Sequence, residues 1–106
     1  MKRYAQIVKL RPECEQEYMR IHTEVWPEVL ATIHRCNIRN YSIFLCDGLL
    51  FGYFEYHGID FLADMAKMAE DPNTQRWWDI TSPMQERLQT SGTKQWAEAK
   101  EVFHVD

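Results

Sequence analysis

The stretch IRNYSIFLCDGLLFGYFEY, Ile38 to Tyr56, decides the fold. Its flanks, Ile38 to Cys46 and Leu49 to Tyr56, are rich in aromatic and β-branched residues. The Asp47-Gly48 dipeptide between them is the strongest short hairpin signal in the chain, since both residue types tolerate the backbone a tight hairpin turn demands. The stretch reads as two antiparallel strands, and its neighbours decide what sheet they join.

On the N-terminal side, Tyr4 to Leu10 alternates like a strand around β-branched Ile7 and Val8, and Arg11-Pro12-Glu13 ends it and opens a helix. From Glu13 to about Arg35, the apolar residues Tyr18, Ile21, Val25, Val29, Leu30 and Ile33 recur at the three- and four-residue steps of an amphipathic helix. Pro27 removes a backbone donor and restricts the residue before it, which predicts a kink or short break around Trp26-Pro27. On the C-terminal side, Gly58 to about Glu70 reads as a helix with Asp60 near its start and Phe61, Leu62, Met65, Met68 and Ala69 on one side. Asp71-Pro72 ends it and offers a capping Asp and first-turn proline to a further helix, Pro72 to Ile80 or beyond. Ser82-Pro83 marks a break and Gln89 to Gln95 a polar loop. Val102, Phe103 and Val105 favour a final strand within Trp96 to Val105.

The order β-α-β-β-α(α)-β is the split βαβ, or ferredoxin-like, plan: an α+β fold with an antiparallel sheet and helices on one face. Residues 1–106 read as one domain of this kind. The strands carry Tyr4, Ile7, Tyr41, Ile43, Phe44, Phe51, Tyr53, Phe54 and Tyr56, more apolar surface than a one-sided sheet should leave in water. A homodimer packing sheet against sheet, the dimeric α/β-barrel arrangement, would cover it; so would a ligand in a groove.

Composition narrows the partners. Of 106 residues 45% are hydrophobic and 26% charged, close to ordinary globular usage. Twelve Lys plus Arg against sixteen Asp plus Glu give a net charge of −4, and no basic run exceeds Lys2-Arg3, which argues against nucleic acid. No apolar stretch approaches the roughly 20 residues of a membrane span, and the N-terminus runs straight into a strand pattern; the expectation is a cytoplasmic protein with no membrane partner. Cys14, Cys36 and Cys46 are odd in number, with no Cys-x-x-Cys pair, as suits a reducing compartment. His22, His34, His57 and His104 match no common metal spacing, so no metal is expected.

Three features can carry chemistry. Tyr18 and His22 lie four apart, followed by Trp26 after four more, so a helix places a phenol and an imidazole one turn apart on one face. An imidazole, with its ordinary pKa near about 6.5, gives and takes protons at neutral pH, and a phenol orients a hydroxyl. A packed helix face with His22 merely hydrogen-bonded is the alternative. Trp77-Trp78, after Gln75-Arg76, places two indoles about 100° apart on a helix, so one can enter the core while the other walls a pocket suited to the C–H face of a sugar or to a cation. Two core tryptophans are the alternative. Tyr41, between Asn40 and Ser42, faces either a shallow polar cavity or the core.

Glu17-Tyr18, His22, Trp26-Pro27-Glu28, Asn40-Tyr41-Ser42-Ile43, Gln75-Arg76-Trp77-Trp78 and Glu101-Val102-Phe103 together resemble the L-rhamnose mutarotase family, with a similarity that runs from the first strand to the last. The loop at Cys46-Asp47-Gly48 is shorter than in some relatives, and the segment between Pro83 and Lys94 resembles the family only loosely. The resemblance implies a dimeric ferredoxin-like fold, a pyranose held between sheet and helices, and no cofactor. It implies that His22 is the proton donor, that Tyr18 and Tyr41 bind L-rhamnose or a related deoxy-hexose, and that Trp77 and Trp78 line the site.

The chemistry agrees with that inventory. Interconverting anomers requires a proton delivered to the ring oxygen, another lost from the anomeric hydroxyl, rotation about C1–C2 and reclosure. Positioned acid or base catalysis contributes on the order of 10² to 10⁴ in rate. His22 can be the acid, while Tyr18, a second residue or a water can be the base. Two other readings use the same parts: a cofactor-free or haem-degrading ferredoxin-like monooxygenase, and a sensing module that binds a metabolite without converting it.

Overall fold

Asp47 and Gly48 both take positive φ, 52° and 72°, the two-residue turn whose twist matches that of the strands it joins. The computed structural model describes residues 1–106. Around the turn, β2 (Ile38–Cys46) and β3 (Leu49–Tyr56) pair antiparallel. β1 (Lys2–Leu10) lies on the other side of β3, from Lys2 opposite Tyr56 to Lys9 opposite Leu49. The free edge of β1 is shared by two short strands: β4 (Gln85–Glu86) beside Leu10 and Lys9, and β5 (Ala97–Ala99) beside Ile7 and Ala5. The order β2-β3-β1-β4, all antiparallel, is the expected split βαβ sheet.

Four helices cover one face: α1 (Glu15–Ile21), α2 (Pro27–Arg35), α3 (Phe61–Glu70) and α4 (Pro72–Thr81). The interruption predicted around Trp26-Pro27 is a break, the five residues from His22 to Trp26. Side chains explain the early stop. His22 Nδ1 and Thr23 Oγ1 each lie 2.7 Å from a carbonyl oxygen of the last turn, those of Tyr18 and Arg20, offering that turn partners outside the helix. α2 then starts with proline at its first position. α3 begins at Phe61 rather than Gly58, because Asp60 caps it by accepting from the Ala63 amide at 3.1 Å. Asp71 caps α4 by accepting from the Thr74 amide at 2.9 Å.

The final strand is much shorter than expected. Only Ala97–Ala99 pairs, and from Lys100 the chain leaves the sheet, with Arg3 held to Glu101 by a 2.8 Å ion pair. Val102, Phe103 and Val105 are 92, 78 and 72% exposed. Their β propensity has no strand beside it within the chain, and propensity alone makes no ladder.

Helix-side residues form two core clusters. Val8, Leu10, Tyr18 and Leu50 make one; Ile38, Phe54 and Tyr56, with Tyr4 and Phe61 packed on them, make the other. Of the strand residues singled out from the sequence, Tyr4, Tyr41, Ile43, Phe54 and Tyr56 turn toward the helices, whereas Ile7, Phe44, Phe51 and Tyr53 occupy the opposite face. Helices thus cover about half of the surface that the sequence left unassigned.

Candidate functional site

Between the two core clusters the helix-bearing face becomes polar. Gln6 on β1 stands between Tyr4 and Val8, and its register partner on β3 is Gly52. A Cβ at Gly52 would meet Gln6 Cγ at 3.2 Å and Trp96 Cζ3 at 3.4 Å, so the missing side chain lets an amide and an indole meet over the sheet.

Tyr41 reaches the same place through an irregularity. The β2–β3 register shifts between Arg39 and Ser42, and Asn40 sits there at φ 50°. This is a β-bulge in which Asn, whose short polar side chain tolerates the left-handed region, takes the awkward residue. The extra residue inverts the alternation, so Tyr41 joins Ile43 and Leu45 on the helix side. Although 38% of Tyr41 is exposed, its hydroxyl is desolvated. Burial, with the nearby Tyr18 phenol, pushes its pKa up to about 12, and a hydrogen bond with Gln6 opposes the rise.

Tyr18 comes from α1 and is buried. Gln85 Nε2 donates to its hydroxyl at 3.1 Å. Burial raises the phenol's pKa and the Gln85 bond offsets part of the rise. Both phenols therefore stay protonated at neutral pH.

His22 closes α1. Its Nδ1 lies 2.7 Å from the Tyr18 carbonyl oxygen. A carbonyl can only accept, so Nδ1 carries the hydrogen and Nε2 is the atom left to exchange a proton. The imidazole stacks on the Tyr18 ring at 4.2 Å and 27°, and meets Trp77 edge-on at 5.3 Å. Trp77 in turn meets Trp26 at 5.2 Å and 73°.

The structure thus brings Tyr18, His22 and Trp77 into one aromatic group, with Tyr41 facing Tyr18 from the sheet. Trp77 is 7% exposed, whereas Trp78, one residue on, is 40% exposed and outside these ring contacts. Four residues of this region were not singled out by sequence reasoning: Gln6, Gly52, Gln85 and Trp96. Gln6 had a signal, a polar residue at an inward position of an apolar alternation. Gln85 and Trp96 had none, because Gln85 lies within the segment that resembles the family least and Trp96 lies just beyond it. Two open clefts of about 570 and 730 Å³ lie elsewhere, one around Lys9, Arg11 and Glu86, the other around Arg3, Tyr53 and Lys100. Neither contains an imidazole. No group of three or more His, Cys, Asp or Glu is arranged to hold a metal ion, and no helix is long and apolar enough to cross a membrane.

Fold and side chains define a class: a ferredoxin-like α+β protein with an imidazole set among aromatic rings on the helix-bearing side of its sheet. Comparison with known proteins narrows it. The family model for L-rhamnose mutarotase matches residues 3–105. The L-rhamnose mutarotase of Oceanobacillus iheyensis is 35% identical over 108 residues, and that of Bacillus subtilis 32% over 108, each alignment spanning all of both chains. The crystal structure of an L-rhamnose mutarotase from Formosa agariphila superposes with a TM-score of 0.78 at 21% identity, over 100% of both chains. Tetracenomycin F2 cyclase from Streptomyces glaucescens superposes at 0.76 and 10% identity, over 100% of this chain and 98% of its own; that likeness is one of fold. The chain belongs to the L-rhamnose mutarotase family.

Proposed function

We propose that the chain interconverts the α and β anomers of L-rhamnose by opening and reclosing the hemiacetal ring, with His22 as proton donor, Tyr18 and Tyr41 as sugar-binding phenols, Trp77 as the wall and Trp78 as the rim. One observation supports this reading above the others. The Tyr18 carbonyl fixes His22 with Nδ1–H bound and Nε2 free, beside a phenol and an indole face. A protonated Nε2 delivers its proton to the ring oxygen. With both phenols protonated, the proton from the anomeric hydroxyl passes to water rather than to a phenolate. Rotation about C1–C2 presents the other carbonyl face, and reclosure returns both protons.

The monooxygenase alternative shares the fold, and the full-length family match favours the sugar reading over it. The sensing alternative is separated by rate. Freshly dissolved crystalline α-L-rhamnose should reach its equilibrium optical rotation faster with catalytic amounts of protein than without; an unchanged rate with demonstrable binding would leave only a sensor.

The same reading includes a homodimer and residence in the cytoplasm, with residues 1–106 acting as one domain. Support for the dimer comes from the sheet face away from the helices, where Phe44 opposes Phe51 at 64 and 37% exposure. The apolar C-terminal residues Val102, Phe103 and Val105 add to it.

A further inference from the structure

Tyr18 sits at the end of a chain of amides whose direction is fixed by a group that cannot donate. Gln95 Nε2 lies 3.4 Å from the carbonyl oxygen of Ser82 and 3.0 Å from Gln85 Oε1. The Ser82 carbonyl has no hydrogen, so the NH₂ end of Gln95 must face it, and the same NH₂ donates its second hydrogen to Gln85 Oε1. That settles which end of Gln85 is which: its oxygen is used by Gln95, so its NH₂ faces Tyr18 and donates to the phenol oxygen at 3.1 Å. Gln85 is 5% exposed, Tyr18 is 4% exposed, and no buried side-chain polar atom is left without a partner. β4, a strand of only two residues, places Gln85 opposite Leu10, a member of the same core cluster as Tyr18.

From this we infer that Gln85 is a positioning residue: with Gln95 it holds Tyr18 as an acceptor on its inner side, so that the phenol's own hydrogen is directed at an oxygen of the bound sugar. The inference deepens the sugar reading and rests on it. A neutral phenol can otherwise turn its hydrogen toward any nearby acceptor. Supplying a donor from Gln85 removes that choice and leaves the sugar as the target of the O–H. The carboxamide is what matters, since an apolar side chain would fill the space without setting the direction.

Three variants test it. Gln85→Met keeps the volume and removes the donor; L-rhamnose should bind about three- to tenfold more weakly, the worth of one neutral hydrogen bond. Gln85→Glu reverses the polarity. As a carboxylate the new group can only accept, so it captures the Tyr18 hydrogen and binding weakens. Once protonated it can donate to Tyr18 while accepting from Gln95, so binding recovers as pH falls. Measured as the ratio of wild-type to variant affinity across pH, this recovery is free of any titration the two proteins share. Gln95→Leu, at a half-buried position, should lower affinity about two- to threefold and keeps the test open if either Gln85 variant does not fold.

A second readout needs no sugar. The ¹³Cζ resonance of Tyr18 should titrate at higher pH in Gln85→Met than in wild type, because the donor that favours the phenolate is gone. Wild-type affinity in Gln85→Met and Gln95→Leu, or an affinity ratio for Gln85→Glu that does not change with pH, would overturn the inference. If wild type itself does not bind L-rhamnose the sugar reading fails, while the ¹³Cζ titration still reports whether the amide chain acts on Tyr18.

Discussion

His22 and Trp77 touch, yet their replacement should have different consequences. An Asn at position 22 can keep one hydrogen bond near the imidazole's place but cannot titrate near neutral pH. His22→Asn should therefore bind L-rhamnose with affinity close to wild type and lose on the order of 10²-fold or more in anomer exchange, measured at saturating sugar. Trp77→Ala and Trp78→Ala should part company in the way their burial dictates. Removing the Trp77 indole, 7% exposed against His22 and Trp26, should cost about 3–5 kcal/mol in denaturant unfolding. Trp78→Ala, at a 40% exposed position, should leave stability nearly intact and weaken sugar binding. Equal stability loss in the two would contradict this division. At this scale the sequence was informative where spacing implies contact: Tyr18 and His22 stack as an i, i+4 pair should. It was silent on Gln85 and Trp96, which reach the site through a two-residue strand and a loop that no periodicity marks.

The β2 bulge is the element on which Tyr41 depends. Straight alternation from Ile38 would place Tyr41 on the opposite face; the extra residue at Asn40 brings it round. Asn40→Gly should be tolerated, whereas Asn40→Val puts a β-branched residue at φ 50° and should cost about 1–3 kcal/mol. It should also lower sugar affinity if the strand escapes by removing the bulge. A ¹⁵N-resolved spectrum of the variant, with sugar titration, separates strain alone from loss of Tyr41. Strands, hairpin and helices were legible because their signals are local: Asp47-Gly48, the capping Asp60 and Asp71, the 3.6-residue period. The bulge was not, because one residue at positive φ leaves no periodic trace. The final strand is shorter than its propensity implies, since pairing with β1 stops at Ala99 and Val102, Phe103 and Val105 lie exposed beyond it.

For the molecule as a whole, two predictions concern assembly and acid. The uncovered face around Phe44 and Phe51, with the apolar C-terminal residues, leads to the expectation that sedimentation at micromolar concentration gives twice 12.7 kDa; a single 12.7 kDa species would contradict the dimer. Asp64 accepts from the Tyr56 hydroxyl and from Asn37, which together hold its pKa below the usual carboxylate range. A carboxylate with a depressed folded pKa stabilises above its unfolded value, near about 3.9, and that contribution disappears as pH falls through the folded value. Chemical denaturation from pH 6 downward should thus show stability dropping below about pH 4, more steeply in wild type than in Asp64→Asn. The central claim is anomer interconversion, and saturation transfer between the two anomeric protons of L-rhamnose tests it most directly. Saturating one anomer's H1 should attenuate the other's when wild-type protein is added, with His22→Asn at the same concentration giving far less transfer. Transfer no greater with wild type than in buffer alone would contradict the account.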